Sequence, residues 1–467
     1  MKSFTKYIFV LLTAISATWL TSGCKKLFDT TPKNILLKDS ALQTGSDFRE
    51  LLNGSYDVTA NLYNGRVQVF NELLSDNVGA PKANNDFREI YNRATIFFNS
   101  TVGSFYGDCY RIIYRSNSLL DNIDAISSIP DADKKQMKGE ARFLRALGHF
   151  TLVRLFAQPY GYTADNSHLG IVVKKSTAFE ALQRNTCKET YDFIVDDLNQ
   201  AITALPETNA NGVYATKYAA KALLAKVYFQ MNRFSDVIAN VNDIANSGKY
   251  ALSDSVNRFD NSANSHKEFL FYIKSSNNDQ RSSGLRGNFF IGGTEKPEVS
   301  VSKELYTDVT SRSGDKRAKY FTAFSVGTSS EFYKTSKFDS AFFDIPVLHY
   351  TDMLLMRAEA LAETNTNLTV AINDLNAILT RAFGNVSQNL ITTAGPSAIL
   401  NAARLERRIE MPMEGDRVQQ LKRIGAKGEP NIRIRLAPWN CNGLALQFPA
   451  SESTIKGFQM NPEGGCN

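Results

Sequence analysis

The chain contains few of the residues on which common catalytic sites depend. Its 467 residues include four histidines, and these lie far apart at His149, His168, His266 and His349. The zinc motif His-Glu-x-x-His, the nucleophile elbow Gly-x-Ser-x-Gly and the glycine-rich phosphate loop are all absent from the sequence. We therefore predict a protein without catalytic activity, metal or other cofactor. A glycosidase is the enzyme class that stays open, because two carboxylates facing each other across a cleft leave no sequence motif.

Tryptophan and long apolar runs are also scarce. Of the two tryptophans, Trp19 lies in the N-terminal apolar run and Trp439 near the C-terminus. No stretch beyond the first run reaches about 18 consecutive apolar residues, so the sequence predicts no membrane-spanning helix. The formal net charge is only +6, and no basic cluster is interleaved with aromatic residues. Nucleic acid is therefore excluded as an expected partner.

The N-terminus has the pattern of an export signal. Lys2 and Lys6 precede the mostly apolar segment Tyr7–Leu20, and small residues lead to Cys24. We predict a lipoprotein signal peptide over residues 1–23 and lipid attachment at Cys24. The alternative is an ordinary signal peptide cleaved near an incidental cysteine. The mostly polar residues 24–45 are predicted to form a tether.

Four further cysteines would be exposed to oxidising conditions after export. Cys441 and Cys466 flank the last segment of the chain and form a candidate disulfide. The alternative is four unpaired thiols, with Cys109 inside one predicted helix and Cys187 at the start of another. None of the cysteines has the spacing of a metal site.

Apolar residues recur with helical periodicity through most of the chain. The predicted helices are Asp47–Tyr63, Phe105–Ile126, Asp133–Phe156, Lys188–Leu205, Thr216–Asn232, Phe234–Asn246, Val347–Glu363, Leu368–Phe383 and Ala398–Met411. We predict a mainly α fold made of tetratricopeptide-like helix pairs beside a loop-rich, irregular second region.

Small residues support the tetratricopeptide-like pairing. Ala219, Ala222 and Ala225 would let two helices approach closely, and segment Leu354–Ala382 repeats that pattern. Residues Ser253–Ser340 are rich in Ser, Asn, Gly and aromatics, with a strand predicted at 269–273. An irregular region of this size is expected to be folded, because long structureless loops are rare in compact domains.

Several segments resemble the SusD/RagB family of outer-membrane lipoproteins from Bacteroidetes. The segments that carry the resemblance are Phe70–Asn77, Lys138–Phe150, Leu155–Gly161, Val347–Ala362, Ala371–Phe383 and Leu405–Arg417. The chain departs from the family at Asp416, Val418 and Gln420, where a histidine, an aromatic and an acidic residue are usual. The resemblance implies a SusD-like N-terminal helical region over residues 46–250. It implies a C-terminal region over 251–467, with helices within 347–425.

The resemblance also implies a function. Family members are surface nutrient-binding lipoproteins, and this chain would capture a glycan, an oligosaccharide, for import through a TonB-dependent SusC-like barrel. The expected location is the outer membrane, with the protein lipid-anchored and facing outward. Two alternatives stay open: a peptide-binding member of the same family, and a tetratricopeptide-type scaffold lipoprotein without a small ligand.

Saccharide binding requires exposed aromatic faces together with planar polar side chains. Loops beside glycine, proline or asparagine supply the candidates, which are Tyr63, Tyr160, Tyr162, Arg286, Asn288, Phe289 and Trp439. A single tryptophan outside the signal keeps a peptide or a short oligosaccharide open as the ligand.

The charged motif near residue 410 has a structural interpretation. Glu410, Glu414 and Arg417 are placed to pair where Pro412 and Gly415 break the helix. Charged groups at such a position order a helix end more often than they perform chemistry. We therefore assign this motif to folding rather than to catalysis.

Overall fold

The protein is mainly helical, as the sequence predicts. The computed structural model describes residues 42–82, 84–209, 213–260 and 265–466. The predicted signal peptide, Cys24 and most of the predicted tether lie outside the described residues. Among the helices that are described, none is long and apolar enough to cross a membrane.

The helices are α1 (Gly45–Tyr63), α2 (Arg66–Leu74), α3 (Asn85–Tyr91), α4 (Ser100–Asn122), α5 (Asp131–Phe156), α6 (Cys187–Ala204), α7 (Lys217–Gln230), α8 (Phe234–Asn246), α9 (Ser283–Phe289), α10 (Lys303–Thr310), α11 (Tyr350–Thr364), α12 (Leu368–Phe383), α13 (Pro396–Glu410), α14 (Arg417–Lys427) and α15 (Ala450–Ser453). The strands are β1 (Phe269–Ile273), β2 (Phe321–Phe324), β3 (Phe332–Thr335), β4 (Ile345–His349), β5 (Arg433–Ile434) and β6 (Ala437–Pro438). They form antiparallel pairs of β1 with β4, β2 with β3 and β5 with β6.

Polar caps fix where the long helices begin. Thr44 caps α1 and Thr186 caps α6, and each forms a capping box with the acidic residue three positions later. A capping box satisfies two backbone N–H groups that a helix start leaves unpaired. At its other end, α12 stops at Gly384, whose φ of 73° is a left-handed conformation that glycine adopts without steric cost.

The helices pack as successive pairs that run from one half of the chain into the other. Helix α5 packs on α4 and α6, α7 packs on α6 and α8, α8 packs on α11, and α11 packs on α12 and α13. Ala219, Ala222 and Ala225 are fully buried on α7, as the predicted close helix approach requires. The helical pairs thus form the frame against which the irregular segments pack.

The predicted starts of α4 and α11 are wrong, since α4 begins at Ser100 rather than at Phe105. The sequence predicts a helix from Val347, but this residue lies in strand β4 and the helix begins at Tyr350. His349, expected inside that helix, is its N-cap and accepts a hydrogen bond of 3.2 Å from the Asp352 backbone N–H. The apolar residues before it pair with β1, which the sequence does predict as a strand.

A buried ion-pair cluster joins the loop-rich region to the C-terminal helices. Its five acidic and five basic side chains are Glu268, Asp315, Glu406, Glu410, Glu414, Arg258, Arg312, Arg317, Lys337 and Arg381. The Glu410 carboxylate lies 3.1 Å from Arg258, 2.8 Å from Arg317 and 2.9 Å from Arg381. Burial works to raise the pKa of Glu410, but the surrounding guanidinium groups outweigh it and lower this pKa to about 2.

The prediction that Glu410, Glu414 and Arg417 pair with one another is wrong. Glu410 and Glu414 both bind Arg258, which comes from the loop-rich region. Arg417 instead donates two hydrogen bonds of 2.8 Å to Asp76. The motif therefore fastens the end of α13 to distant segments rather than to itself.

Candidate functional site

A surface cleft of about 760 Å³ lies between segments from both halves of the chain. We call it the main cleft, and it is lined by Asp76, Val78, Gly79, Ala80, Tyr91, Lys296, Ser300, Val301, Ser302, Lys303, Glu304, Glu331, Phe332, Tyr333, Arg408, Arg435 and Leu436. Its volume falls in the range of small-molecule sites in proteins, about 300–1,000 Å³.

Backbone pairing makes one side of the main cleft rigid. Isolated antiparallel bridges join Val78 to Val301 and Val301 to Tyr333. The Gly79 N–H donates to the Ser300 carbonyl and the Val301 N–H to the Tyr333 carbonyl, each over 3.0 Å. These hydrogen bonds tie three segments, far apart in the sequence, into one surface. Side chains on such a surface are held in place before a ligand arrives.

The polar end of the main cleft is built on a bidentate ion pair. Both carboxylate oxygens of Asp76 accept hydrogen bonds of 2.8 Å from Arg417, and Arg408 pairs nearby with Asp308. Burial works to raise the pKa of Asp76, but Arg417 outweighs burial and holds that pKa below its ordinary value. The Asp76 carboxylate is therefore held in place as a hydrogen-bond acceptor and is not a proton donor.

The hairpin between β5 and β6 projects a leucine at the mouth of the cleft. Arg435 and Leu436 form its two-residue turn with φ of 45° and 73°, a conformation that usually requires Asn or Gly. The Arg435 guanidinium lies 3.8 Å from the centre of the Tyr91 ring and donates to the Leu73 and Tyr91 carbonyls. Leu436 is 92% exposed. The contacts of Arg435 hold this strained turn in place, which is typical of functional sites.

Aromatic and polar side chains alternate around the rest of the cleft. Tyr91 and Phe332 are half-buried, and Phe332 stacks on Phe324 with ring centres 5.1 Å apart. Lys303 pairs with Glu331 over 3.1 Å at the opening. Flat apolar faces beside charged hydrogen-bonding groups can contact the C–H faces and hydroxyl groups of a sugar.

A fully buried carboxyl lies behind the polar end. Glu72 accepts hydrogen bonds from the Gly415 N–H, from Ser75 and from Asn77. Burial raises the pKa of Glu72 to about 7 even though these hydrogen bonds lower it. Glu72 therefore keeps its proton in the folded protein at pH values where the unfolded chain has lost it.

This raised pKa predicts a pH-dependent effect of Glu72→Gln. Between the unfolded pKa near 4.5 and the folded pKa near 7, the folded protein binds the extra proton, so stability falls as pH rises. Glutamine mimics the protonated carboxyl. The free energy of unfolding of Glu72→Gln, measured relative to that of the parent, should therefore increase by about 2–3 kcal/mol as the pH rises from 5 to 8. Urea unfolding at both pH values measures it.

The matched control is Glu50→Gln on the exposed surface of α1. Its difference from the parent should stay the same at both pH values. A Glu72→Gln difference that also stays constant would mean that Glu72 is charged in the fold at both pH values.

Three sequence-predicted ligand residues form a separate aromatic patch. Tyr162 is 39% exposed, and its ring centre lies 6.4 Å from that of Trp439. Tyr160 is half-buried and packs edge-on against Tyr191. The indole of Trp439 lies on Gly425 of α14, where an added Cβ would come within 2.1 Å of it. None of these predicted residues lines the main cleft.

The other four predicted ligand residues also lie outside the lining of the main cleft. Tyr63 is 7% exposed and Phe289 is 1% exposed, so both are buried side chains rather than exposed loop residues, and neither lines the main cleft. Helix α9, which carries Phe289, packs on α2 and turns this face into the core. Asn288 donates back to the Gly284 carbonyl over 2.7 Å. Arg286 lies near the surface with its guanidinium over the ring of the adjacent Phe290.

Sequence reasoning missed the residues that line the main cleft. The sequence of residues 70–77 indicates a resemblance to the family but does not indicate a ligand site. The single available signal was Asp76, an acidic residue just beyond an apolar helix. Tyr91, Phe332 and Leu436 have no sequence signal, because nothing local shows that they meet.

None of the four cysteines in the described part of the chain lines the main cleft. Cys441 and Cys466 form a disulfide with a Cα–Cα distance of 5.3 Å, and Cys109 and Cys187 are buried thiols. Burial raises the pKa of Cys187 to about 12, so this thiol is not a reactive nucleophile. Within the described ranges, no group of three or more His, Cys, Asp or Glu side chains has the geometry to hold a metal ion.

Comparison with known proteins places the chain in a family. A family model described as starch-binding and associating with the outer membrane matches residues 35–229, and a second model, described as the SusD family, matches residues 247–463. A curated relative, SusD-like protein P2 from Formosa agariphila, is 26% identical over 90% of this chain and 90% of its own length.

Solved structures share the fold. A SusD superfamily protein from Bacteroides thetaiotaomicron superposes with a TM-score of 0.77 at 21% identity, covering 90% of this chain and 100% of the other. A structure titled as a laminarin-binding SusD-like protein has a TM-score of 0.70 at 19% identity, with the same coverage. With both halves matched by family models and the whole fold shared, the chain belongs to the SusD/RagB family.

Proposed function

We propose that this protein is a lipid-anchored surface protein that captures an oligosaccharide in the main cleft. The observation that carries this proposal is the combination of half-buried aromatic faces, an exposed leucine and fixed charged groups around about 760 Å³. Family members are associated with the outer membrane, which agrees with the predicted export signal and Cys24.

A glycan is favoured over a peptide as the ligand. A structural neighbour is described as laminarin-binding, and the model for residues 35–229 is described as starch-binding. The cleft offers flat rings at Tyr91 and Phe332 beside charged hydrogen-bonding groups, which suits a ring with one apolar face and several hydroxyls. A peptide ligand is the second candidate, because the same groups accept backbone amides.

The contacts of two of the three carboxylates that line the cleft, Asp76 and Glu331, favour binding over hydrolysis. Asp76 is held by Arg417, and Glu331 is held by Lys303 and the Tyr333 hydroxyl. A glycosidase requires one carboxyl that is protonated at working pH. The pKa of Asp76 is lowered, so this carboxyl is ionised and cannot be the proton donor.

Import would follow through a SusC-like TonB-dependent barrel. The continuous surface of helix pairs formed by α5–α8 and α11–α13 is the proposed contact with this barrel. If the protein were only a scaffold, the helix pairs would still bind a protein partner but the main cleft would bind no small ligand.

A ligand screen tests the binding function. The purified protein should bind one class among labelled α-glucans, β-glucans, xylans and mannans, and release no new reducing ends during prolonged incubation. Binding only to a mixed peptide library would replace the glycan by a peptide. Failure to bind any glycan or peptide would favour the scaffold.

Co-purification tests the partner. A C-terminally tagged chain, solubilised from the outer membrane in mild detergent, should carry a large β-barrel protein in near-equal amount. Recovery of the lipidated protein alone would contradict a stable complex with the barrel.

A further inference from the structure

A second cavity of about 430 Å³ lies beside helix α4, away from the main cleft. We call it the α4 pocket, and it is lined by Gly103, Tyr106, Gly107, Tyr110, Val172, Lys174, Glu180, Leu182, Pro449, Ser451, Glu452 and Ile455. It shares no lining residue with the main cleft. Its walls come from α4, from the segment before α6 and from the C-terminal segment around α15.

Two glycines keep the α4 pocket open. Gly103, Tyr106, Gly107 and Tyr110 lie on one face of α4, because residues three and four apart share a helix face. A Cβ added at Gly107 would meet no atom within 4 Å, and one at Gly103 would first meet Pro449 at an ordinary 3.7 Å. Packing therefore does not require glycine at either position.

The cost of these glycines points to a use for the space. Glycine in a helix interior is destabilising relative to alanine, because it loses more conformational freedom on folding. Helix α4 accepts this cost twice, one turn apart, on the face that borders the cavity. The result is an open volume beside Tyr106 and Tyr110 on the same face of α4.

An acidic side chain at the pocket lacks a cationic partner. Glu452 is half-buried and hydrogen-bonded to the Tyr106 hydroxyl, and it takes part in none of the ion pairs found between described residues. Burial raises the pKa of Glu452 more than this hydrogen bond lowers it. Lys174 also lines the pocket, but its ammonium group donates to the Ala178 carbonyl over 2.8 Å and forms no ion pair with Glu452.

The remaining walls suit an apolar body next to a positive charge. Val172, Leu182 and Ile455 supply aliphatic surface, and the rings of Tyr106 and Tyr110 lie 4.7 Å apart. Aromatic faces attract cations, and a carboxylate forms its strongest hydrogen bonds with charged donors. The charged lining residues are two acidic side chains, Glu180 and Glu452, and one basic side chain, Lys174. Apolar surface beside a few placed polar groups is the usual composition of a small-molecule site.

We propose that the α4 pocket binds a compact apolar molecule that ends in a positively charged amine. The amine would donate to Glu452, and the apolar body would lie over Gly103 and Gly107 between the tyrosines and the aliphatic wall. This site is independent of oligosaccharide capture in the main cleft.

Three probes that differ only in their polar end test the charge preference. Phenethylamine, 2-phenylethanol and 3-phenylpropionate are titrated into the purified protein at pH 8 and followed by ligand-observed NMR. Phenethylamine should bind at least tenfold more tightly than 3-phenylpropionate, with the neutral alcohol between them. Equal affinity for the amine and the carboxylate, or no binding of any probe, would overturn the proposal.

Substitutions at two positions test the place of binding. Gly107→Leu fills the pocket and should weaken phenethylamine binding at least tenfold. Gly107→Ala adds only one methyl group, so it should retain most of the binding and should raise the melting temperature. Glu452→Gln should reduce the preference for the amine over the alcohol to less than twofold. A folded Gly107→Leu protein that binds phenethylamine like the parent would contradict the site. The Glu452→Gln result decides the same question if the leucine variant does not fold.

Discussion

Replacing Glu410 by alanine is expected to lower the free energy of unfolding by about 3–5 kcal/mol, because it leaves a buried positive charge without compensation. Glu410 is buried and contacts Arg258, Arg317 and Arg381 within 3.1 Å. The cluster around it has equal numbers of acidic and basic side chains, so removing one carboxylate leaves one cation in excess. Urea unfolding at pH 7, with circular dichroism as the signal, measures the loss.

The pH dependence separates charge from packing in this prediction. The pKa of Glu410 is lowered to about 2, so its contribution is fully present above the unfolded value near 4.5 and is lost as pH falls toward 2. The difference between parent and Glu410→Ala should therefore shrink on acidification. A cavity effect alone would not change with pH.

The control removes a similar carboxylate at the surface. Glu429 is half-exposed and pairs with Arg404 over 2.9 Å, and such pairs contribute about 0–1 kcal/mol. Glu429→Ala should therefore cost at most about 1 kcal/mol. Equal losses for Glu410→Ala and Glu429→Ala would refute the importance of the buried cluster.

Alanine at Tyr91 or at Phe332 is expected to weaken oligosaccharide binding roughly tenfold in each case. Both rings are half-buried and line the main cleft, and aromatic contacts at binding hot spots are worth more than about 1 kcal/mol each. The affinity of the double variant for the oligosaccharide should fall roughly a hundredfold if the two contacts are independent. Isothermal titration with the best-binding glycan measures the dissociation constants.

Two aromatic substitutions outside the cleft serve as controls. Tyr114→Ala removes an exposed ring from α4, and Tyr162→Ala removes the exposed ring of the separate aromatic patch. Neither should change the affinity by more than about twofold. A large loss in Tyr162→Ala, together with parent-like binding in Tyr91→Ala, would move the glycan site to the Tyr162–Trp439 patch.

The sequence was a good guide to the long helices and a poor one to the short helices. Helices such as α8 and α12 show clear apolar periodicity, and their bounds were predicted to the residue. Helix α14 was missed because its buried face includes Lys422 and Arg423, which periodicity arguments assign to solvent. Lys422 is buried because its ammonium group donates to the carbonyls of Arg154, Ala157 and Leu444, a partnership that no local pattern reveals.

The candidate site could not be predicted from the sequence for a related reason. Its lining comes from residues 76–80, 296–304, 331–333 and 435–436 together with Tyr91 and Arg408, which meet only in the folded chain. Position beside glycine suggested Tyr63 and Phe289 as exposed loop residues. Both are buried because Asn64 caps the start of α9 with hydrogen bonds to the Gly284 and Leu285 N–H groups, drawing α9 onto the helical frame.

A crystal structure of the protein with its best-binding oligosaccharide tests the central claim most directly. We expect sugar rings in the main cleft, with at least one ring stacked on Tyr91 or Phe332 and hydroxyl groups within hydrogen-bonding distance of Asp76, Lys303 or Glu331. Sugar rings seated on Tyr162 and Trp439, with the main cleft free of ligand, would contradict it.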